Sequence, residues 1–159
     1  MPEPIQRFKY GGPDGEGARD ARGLTAFLLA LTNNVISTVQ IFPKGAHNNL
    51  HVHLTEDGYW LVLGGRARFY GEGDTIIAEL SRLEGVLIPA GTKYWFEGIS
   101  DEPLEILRVD YRVREGARHA VNEAEVPLVM AAAARGEWAS SIDTSPARAA
   151  QHRDGNSRE

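Results

Sequence analysis

The stretch Gly45-Ala46-His47-Asn48-Asn49-Leu50-His51-Val52-His53-Leu54-Thr55-Glu56-Asp57-Gly58-Tyr59-Trp60-Leu61-Val62-Leu63-Gly64-Gly65 sets histidines and two acids just ahead of an apolar run closed by paired glycines. On an extended strand, residues two apart share a face at about 6.6 Å. Both imidazoles of His51 and His53 can then reach one ion at roughly 2 Å. Parity selects between the acids that follow. Asp57 shares the face of His53 if the strand is regular, and Glu56 points away, so Asp57 is the acid expected beside the pair. His47 has the same parity but lies about 13 Å from His51 in a straight strand, and joins them only if the chain turns back. Two histidines and a carboxylate with open positions suit non-haem Fe(II), with Mn, Ni and Zn also compatible. The same spacing also arises in hydrogen-bonded histidines of a barrel interior or a strand surface, and spacing alone does not separate these cases.

Outward from this stretch, residues 24–113 are short runs of β-branched, aromatic and leucine residues punctuated by glycine, proline and Asn/Asp clusters. They predict strands over 24–30, 34–42, 49–54, 57–63, 66–70, 75–80, 85–88, 93–97 and 104–113. Runs such as Tyr59-Trp60-Leu61-Val62-Leu63 and Val86-Leu87-Ile88 are apolar at consecutive positions, so both faces are expected to be covered. Gly64-Gly65 and Gly71-Glu72-Gly73-Asp74 supply hairpin turns. The reading is all-β, an antiparallel barrel or sandwich. The glycine-rich residues 11–23 read as a loop. Pro127 to Arg135, followed by Gly136, predicts one short C-terminal helix. Residues 137–159 carry too few apolar side chains to offset ordering entropy and are expected to be mobile. The 159 residues therefore read as one domain over 1–136 and a tail.

Apolar residues at 42 % and charged residues at 25 % are ordinary globular usage, and a net charge of −5 gives no general attraction to phosphate backbones or anionic lipid. Nucleic acid and membrane are not expected partners. With no cysteine in the chain, disulfides, thiolate nucleophiles and cysteine-ligated zinc or iron–sulfur sites are excluded. No apolar stretch approaches the roughly 20 residues of a membrane span, and a cytoplasmic location is expected.

The spacing from Gly45 through His51, His53 and Asp57 to Gly64 resembles the first motif of the cupin superfamily, Gly-x5-His-x-His-x3/4-Glu-x6-Gly, with Asp57 in place of its Glu. Residues 83–98 resemble the second motif, Gly-x5-Pro-x-Gly-x2-His-x3-Asn. Pro89 and Gly91 match it, whereas Leu83, Tyr94 and Gly98 stand where the motif has Gly, His and Asn. The resemblance implies a small single-domain, RmlC-like jelly-roll barrel. It also implies a divalent transition metal, one per chain, on His51, His53 and Asp57, with Tyr94 in the position of the fourth ligand. Tyr94 has three open roles: phenolate ligand, hydrogen-bond donor in the cavity, or packing.

Three functions follow from the resemblance. The first is a mononuclear-metal dioxygenase-type oxidoreductase, iron foremost, acting on a small organic substrate, with His51 and Tyr94 as candidate catalytic groups. The second is a metal-independent sugar isomerase or epimerase with a histidine base and Tyr94 as acid. The third is a non-catalytic small-ligand-binding module. Apolar strand runs, with Trp60 and Trp95 assigned to the outside, also imply a homodimer.

Overall fold

The computed structural model describes residues 2–21 and 23–116 and the backbone of 120–121. The helix expected over 127–136, the tail over 137–159, and His119 and His152 lie outside the described residues. Eleven strands are described: β1 (Ala18–Arg19), β2 (Thr25–Leu31), β3 (Val35–Phe42), β4 (His51–His53), β5 (Glu56–Gly64), β6 (Ala67–Tyr70), β7 (Ile76–Leu80), β8 (Gly85–Ile88), β9 (Lys93–Gly98), β10 (Leu104–Arg112) and β11 (Ala120–Val121). They form a six-stranded sheet ordered β1-β2-β3-β10-β5-β8 and a five-stranded sheet ordered β11-β4-β9-β6-β7. Neighbours pair antiparallel throughout, and the two sheets face each other as a jelly roll. The expected loop over 11–23 contains the short strand β1, paired with β2.

Strand alternation sorts the chemistry of the interior. From β5 and β10 the inward side chains include Trp60, Val62, Leu104 and Ile106, which meet Phe69 of β6 and Tyr94 and Phe96 of β9 in one cluster. Phe69 and Phe96 stack at 4.8 Å, and Trp60 meets Phe96 edge-on at 4.9 Å. Each such side chain contributes about 1.5–3 kcal/mol through burial. A second apolar cluster includes Phe27, Val39 and Ile41, against which Tyr10 of the N-terminal segment packs. That segment is held by Gln6, whose side-chain amide donates to the Leu31 carbonyl and accepts from the Leu31 N–H at 2.6 and 3.0 Å.

The outer face departs from the sequence expectation. Trp60 is only 1 % exposed and belongs to the interior, because it shares parity with Gly58 and Val62. The apolar side chains left exposed on this sheet include Tyr59, Leu87 and Tyr111, with Tyr59 directly opposite Leu87 in register. β5 and β8 are therefore covered on one face within the chain, whereas β2 and β3 are buried on both. Trp95 does face away from the interior, stacked on Tyr70 at 4.0 Å.

Two backbone positions show how tightly β8 is seated. A Cβ on Gly85 would overlap the Trp60 carbonyl oxygen of β5. Gly85→Ala is accordingly expected to cost about 1–3 kcal/mol and to lower the melting temperature by roughly 5 °C. An unchanged melting curve would show that β8 rides higher on β5 than described. Two residues earlier, Leu83 has a φ of 67°, the left-handed backbone that suits glycine. This is where the second cupin motif carries its first Gly.

Candidate functional site

β4 is three residues long and alternates His-Val-His, so His51 and His53 point inward together while Val52 faces the other way. The two rings lie 5.1 Å apart, edge to face. Register places His51 opposite Tyr94 on β9, and the Tyr94 ring sits 4.4 Å from His51 and 6.4 Å from His53. Positions 51, 53 and 94 thus form one cluster.

Asp57 does not join it. The chain bends at Leu54 and Thr55 between β4 and β5, so the parity count that selected Asp57 restarts at Glu56. Glu56 is 3 % exposed and its carboxylate lies 3.7 Å from the His53 ring nitrogen Nδ1. Asp57 turns away and accepts the Ala90 N–H at 2.8 Å, fixing the loop between β8 and β9. His47 is exposed and approaches Trp95, with ring centres 6.1 Å apart. It takes no part in the cluster.

The groups that sequence reasoning missed are Arg108 and Asp110 on β10. Arg108 Nε donates to Asp110 at 2.8 Å, Nη2 lies 3.0 Å from His53 Nε2, and the guanidinium rests over the Trp60 ring at 5.0 Å. Both residues are buried. The signal was in the sequence: Leu104, Ile106, Arg108 and Asp110 alternate with Glu105, Leu107, Val109 and Tyr111. The charges therefore continue the inward parity of two core residues.

This arrangement does not fit the implied metal. Among the described residues no three His or carboxylate groups are placed to hold one ion. A guanidinium that never ionises to neutrality is set against His53 Nε2, where it would repel a second cation. His51 Nδ1 hydrogen-bonds the Asn49 carbonyl at 2.6 Å, which leaves Nε2 as its free nitrogen. Tyr94 is pushed up to about 12, chiefly by burial, which Arg108 opposes only in part. A phenolate ligand is disfavoured at that depth.

Electrostatics instead leave a neutral acceptor beside a neutral donor. Burial, with smaller contributions from the nearby His53 and Arg108, pushes His51 down to about 4, against a weaker opposing pull from the Asn49 carbonyl. Burial works against the Arg108 charge, but Asp110, Tyr94 and Glu56 together outweigh it, and the net shift is upward. His51 is thus an uncharged base and Tyr94 an intact hydroxyl at neutral pH.

No protein-family model matches the sequence, nor does any curated protein sequence. Solved structures do match. KdgF from a Halomonas species is 19 % identical, with 69 % of this chain and 96 % of that one covered at a TM-score of 0.58. An RmlC-like cupin from Shewanella frigidimarina is 17 % identical, covering 70 % and 95 %, with a TM-score of 0.57. Another from Desulfovibrio desulfuricans is 20 % identical, covering 65 % and 94 %, at 0.54. Among the described residues no helix is long and apolar enough to cross a membrane.

Proposed function

The chain has the cupin fold, and we propose that it works without a metal, moving a proton on a small organic molecule bound at the His51 end of the barrel. The observation that carries this reading is Arg108 Nη2 at 3.0 Å from His53 Nε2, a fixed cation beside an imidazole that a metal would need. His51 Nε2 accepts the proton, and the Tyr94 hydroxyl donates to the ligand oxygen on which charge develops. His53, held between Glu56 and Arg108, is a positioning residue.

The two proton-handling groups sit on adjacent strands of one sheet, in register. They therefore meet a ligand from one side. That geometry favours isomerisation or tautomerisation, in which a proton leaves and returns on the same face, over epimerisation, which needs groups on opposite faces.

Metal analysis of protein purified without added metal or a chelating tag tests the reading. The expected content is below about 0.1 ion per chain. One tightly held ion per chain, lost in a His51→Ala, His53→Ala double variant, would restore the metal-dependent oxidoreductase and rule out proton transfer by His51 and Tyr94 alone.

A further inference from the structure

The outer face of the six-stranded sheet is apolar across four strands. Register lines up Ser37, Val109, Tyr59 and Leu87 in one row from β3 through β10 and β5 to β8. The next row runs Val39, Leu107, Leu61 and Gly85. Neither row carries a charge, whereas a sheet face in water is ordinarily polar. One half of this face is covered within the chain, where Tyr10 lies on Phe27 of β2 with ring centres 5.3 Å apart and packs against the cluster that holds Val39 and Ile41. The other half is bare, and Tyr59, Leu87 and Tyr111 stand exposed on it.

The covering segment carries exposed apolar side chains of its own. Gln6 is tied to Leu31 and Tyr10 packs on Phe27, so residues 6–10 form an arm that runs alongside β2 in the opposite direction. Phe8 then stands at the level of Leu29, close to the row that ends at Tyr59 and Leu87. Ile5 and Phe8 are 96 % and 55 % exposed. Arg7 and Lys9 flank Phe8, and the charged residues on the outward parity of β5 and β10 are Asp57 and Glu105, both acidic. Residues of the same chain laid on the bare half would leave Ile5 and Phe8 in water. An occupant that brings both a bare half and an arm covers everything.

We propose that this occupant is a second copy of the chain, docked outer face to outer face with the arm of each copy on the bare half of the other. The sheet order β1-β2-β3-β10-β5-β8 has β3 and β10 at its centre. A two-fold axis parallel to the strands between those two turns β2 of one copy onto β5 of the other and keeps the level along the strands. Phe8 thereby meets Tyr59 and Leu87, and the basic arm faces a surface whose outward charges are acidic. The contact is made twice and closes on itself. Six strands at about 4.8 Å spacing and about seven residues long make a face on the order of 600 Å², near the roughly 800 Å² per partner of a standard interface. This assembly is independent of the chemistry inside the barrel.

Sedimentation of the full chain over a hundredfold range of concentration tests it, with melting curves to confirm that each variant folds. The native chain is expected to sediment at twice the chain mass. Leu87→Glu on the bare half and Phe8→Lys on the arm are each expected to weaken association tenfold or more. Mixing those two variants is expected to restore dimers, because the mixed pair keeps one unaltered arm-on-face contact and sets a lysine against a glutamate in the other. Leu87→Lys mixed with Phe8→Lys sets like charges together and is expected to associate more weakly than the first mixture. A native chain that stays monomeric overturns the proposal; if Leu87→Glu then lowers the melting temperature, residues beyond 121 of the same chain cover the face. A dimer indifferent to both single substitutions, or two mixtures that associate equally, overturns it as well.

Discussion

Replacing Arg108 by glutamine is expected to lower the melting temperature by about 10 °C, from a loss of about 3–5 kcal/mol. The change strips the counterion from Asp110, which is 5 % exposed, and leaves Glu56, at 3 %, next to His53 with less compensating charge. A buried carboxylate that loses its paired cation is left uncompensated. A second substitution, Asp110→Asn, removes the stranded charge and is expected to recover most of the loss at neutral pH. Melting curves of the native chain, both single variants and the double variant at pH 5 and pH 7.5 give the coupling directly. A drop of less than about 2 °C for Arg108→Gln, or additive single effects, would show that the pair is hydrated and contributes little. It would also remove the fixed cation on which the metal-free reading depends.

The same residues show which parts of the site are legible in the sequence. His51 and His53 are readable because a period of two survives any error in strand ends, provided both residues lie in one strand. Asp57 is a false reading because that period does not carry across a bend; nothing in Leu54-Thr55 has the glycine or proline that marks a turn in sequence. The outward expectation for Trp60 fails for the same reason, since its true parity follows from Glu56 and Gly58, both inward. The strands themselves are legible because glycine and Asn/Asp clusters separate them at nearly every boundary. Arg108 and Asp110 escape notice because a charged pair in a strand is ordinarily a solvated face. Only its shared parity with Leu104 and Ile106 marks it as interior. Where the sequence departs from the second motif, at Tyr94, the interior also holds the Arg108 guanidinium.

His51→Gln supplies the sharpest separation of chemistry from stability. On a small organic molecule that the native chain turns over, the variant is expected to lose about 10²–10⁴-fold in rate, with binding changed by only a few-fold. Native kcat/KM is expected to hold level above about pH 5 and to fall tenfold per pH unit below 4, because His51 must be neutral to accept a proton and is pushed down to about 4. The groups around it are His53 on β4, Tyr94 on β9, Glu56 on β5, and Arg108 and Asp110 on β10; all but His51 remain in the variant. Stability carries an independent signature. The ordinary histidine value is 6.5, so between 6.5 and 4 the unfolded chain holds a proton on residue 51 that the folded chain does not. Unfolding takes up that proton, and the contribution, complete above pH 6.5, is lost as pH falls toward 4. It amounts to at most about 3 kcal/mol, reduced by solvent screening because the ring is partly exposed. Glutamine cannot titrate, so the melting temperature of His51→Gln relative to the native chain is expected to rise steadily from pH 7 to pH 4.5. Parallel melting curves across that range would mean that His51 is solvated and protonates near its ordinary value. It would then be charged at mildly acidic pH, and the neutral acceptor that the proton transfer requires would be absent.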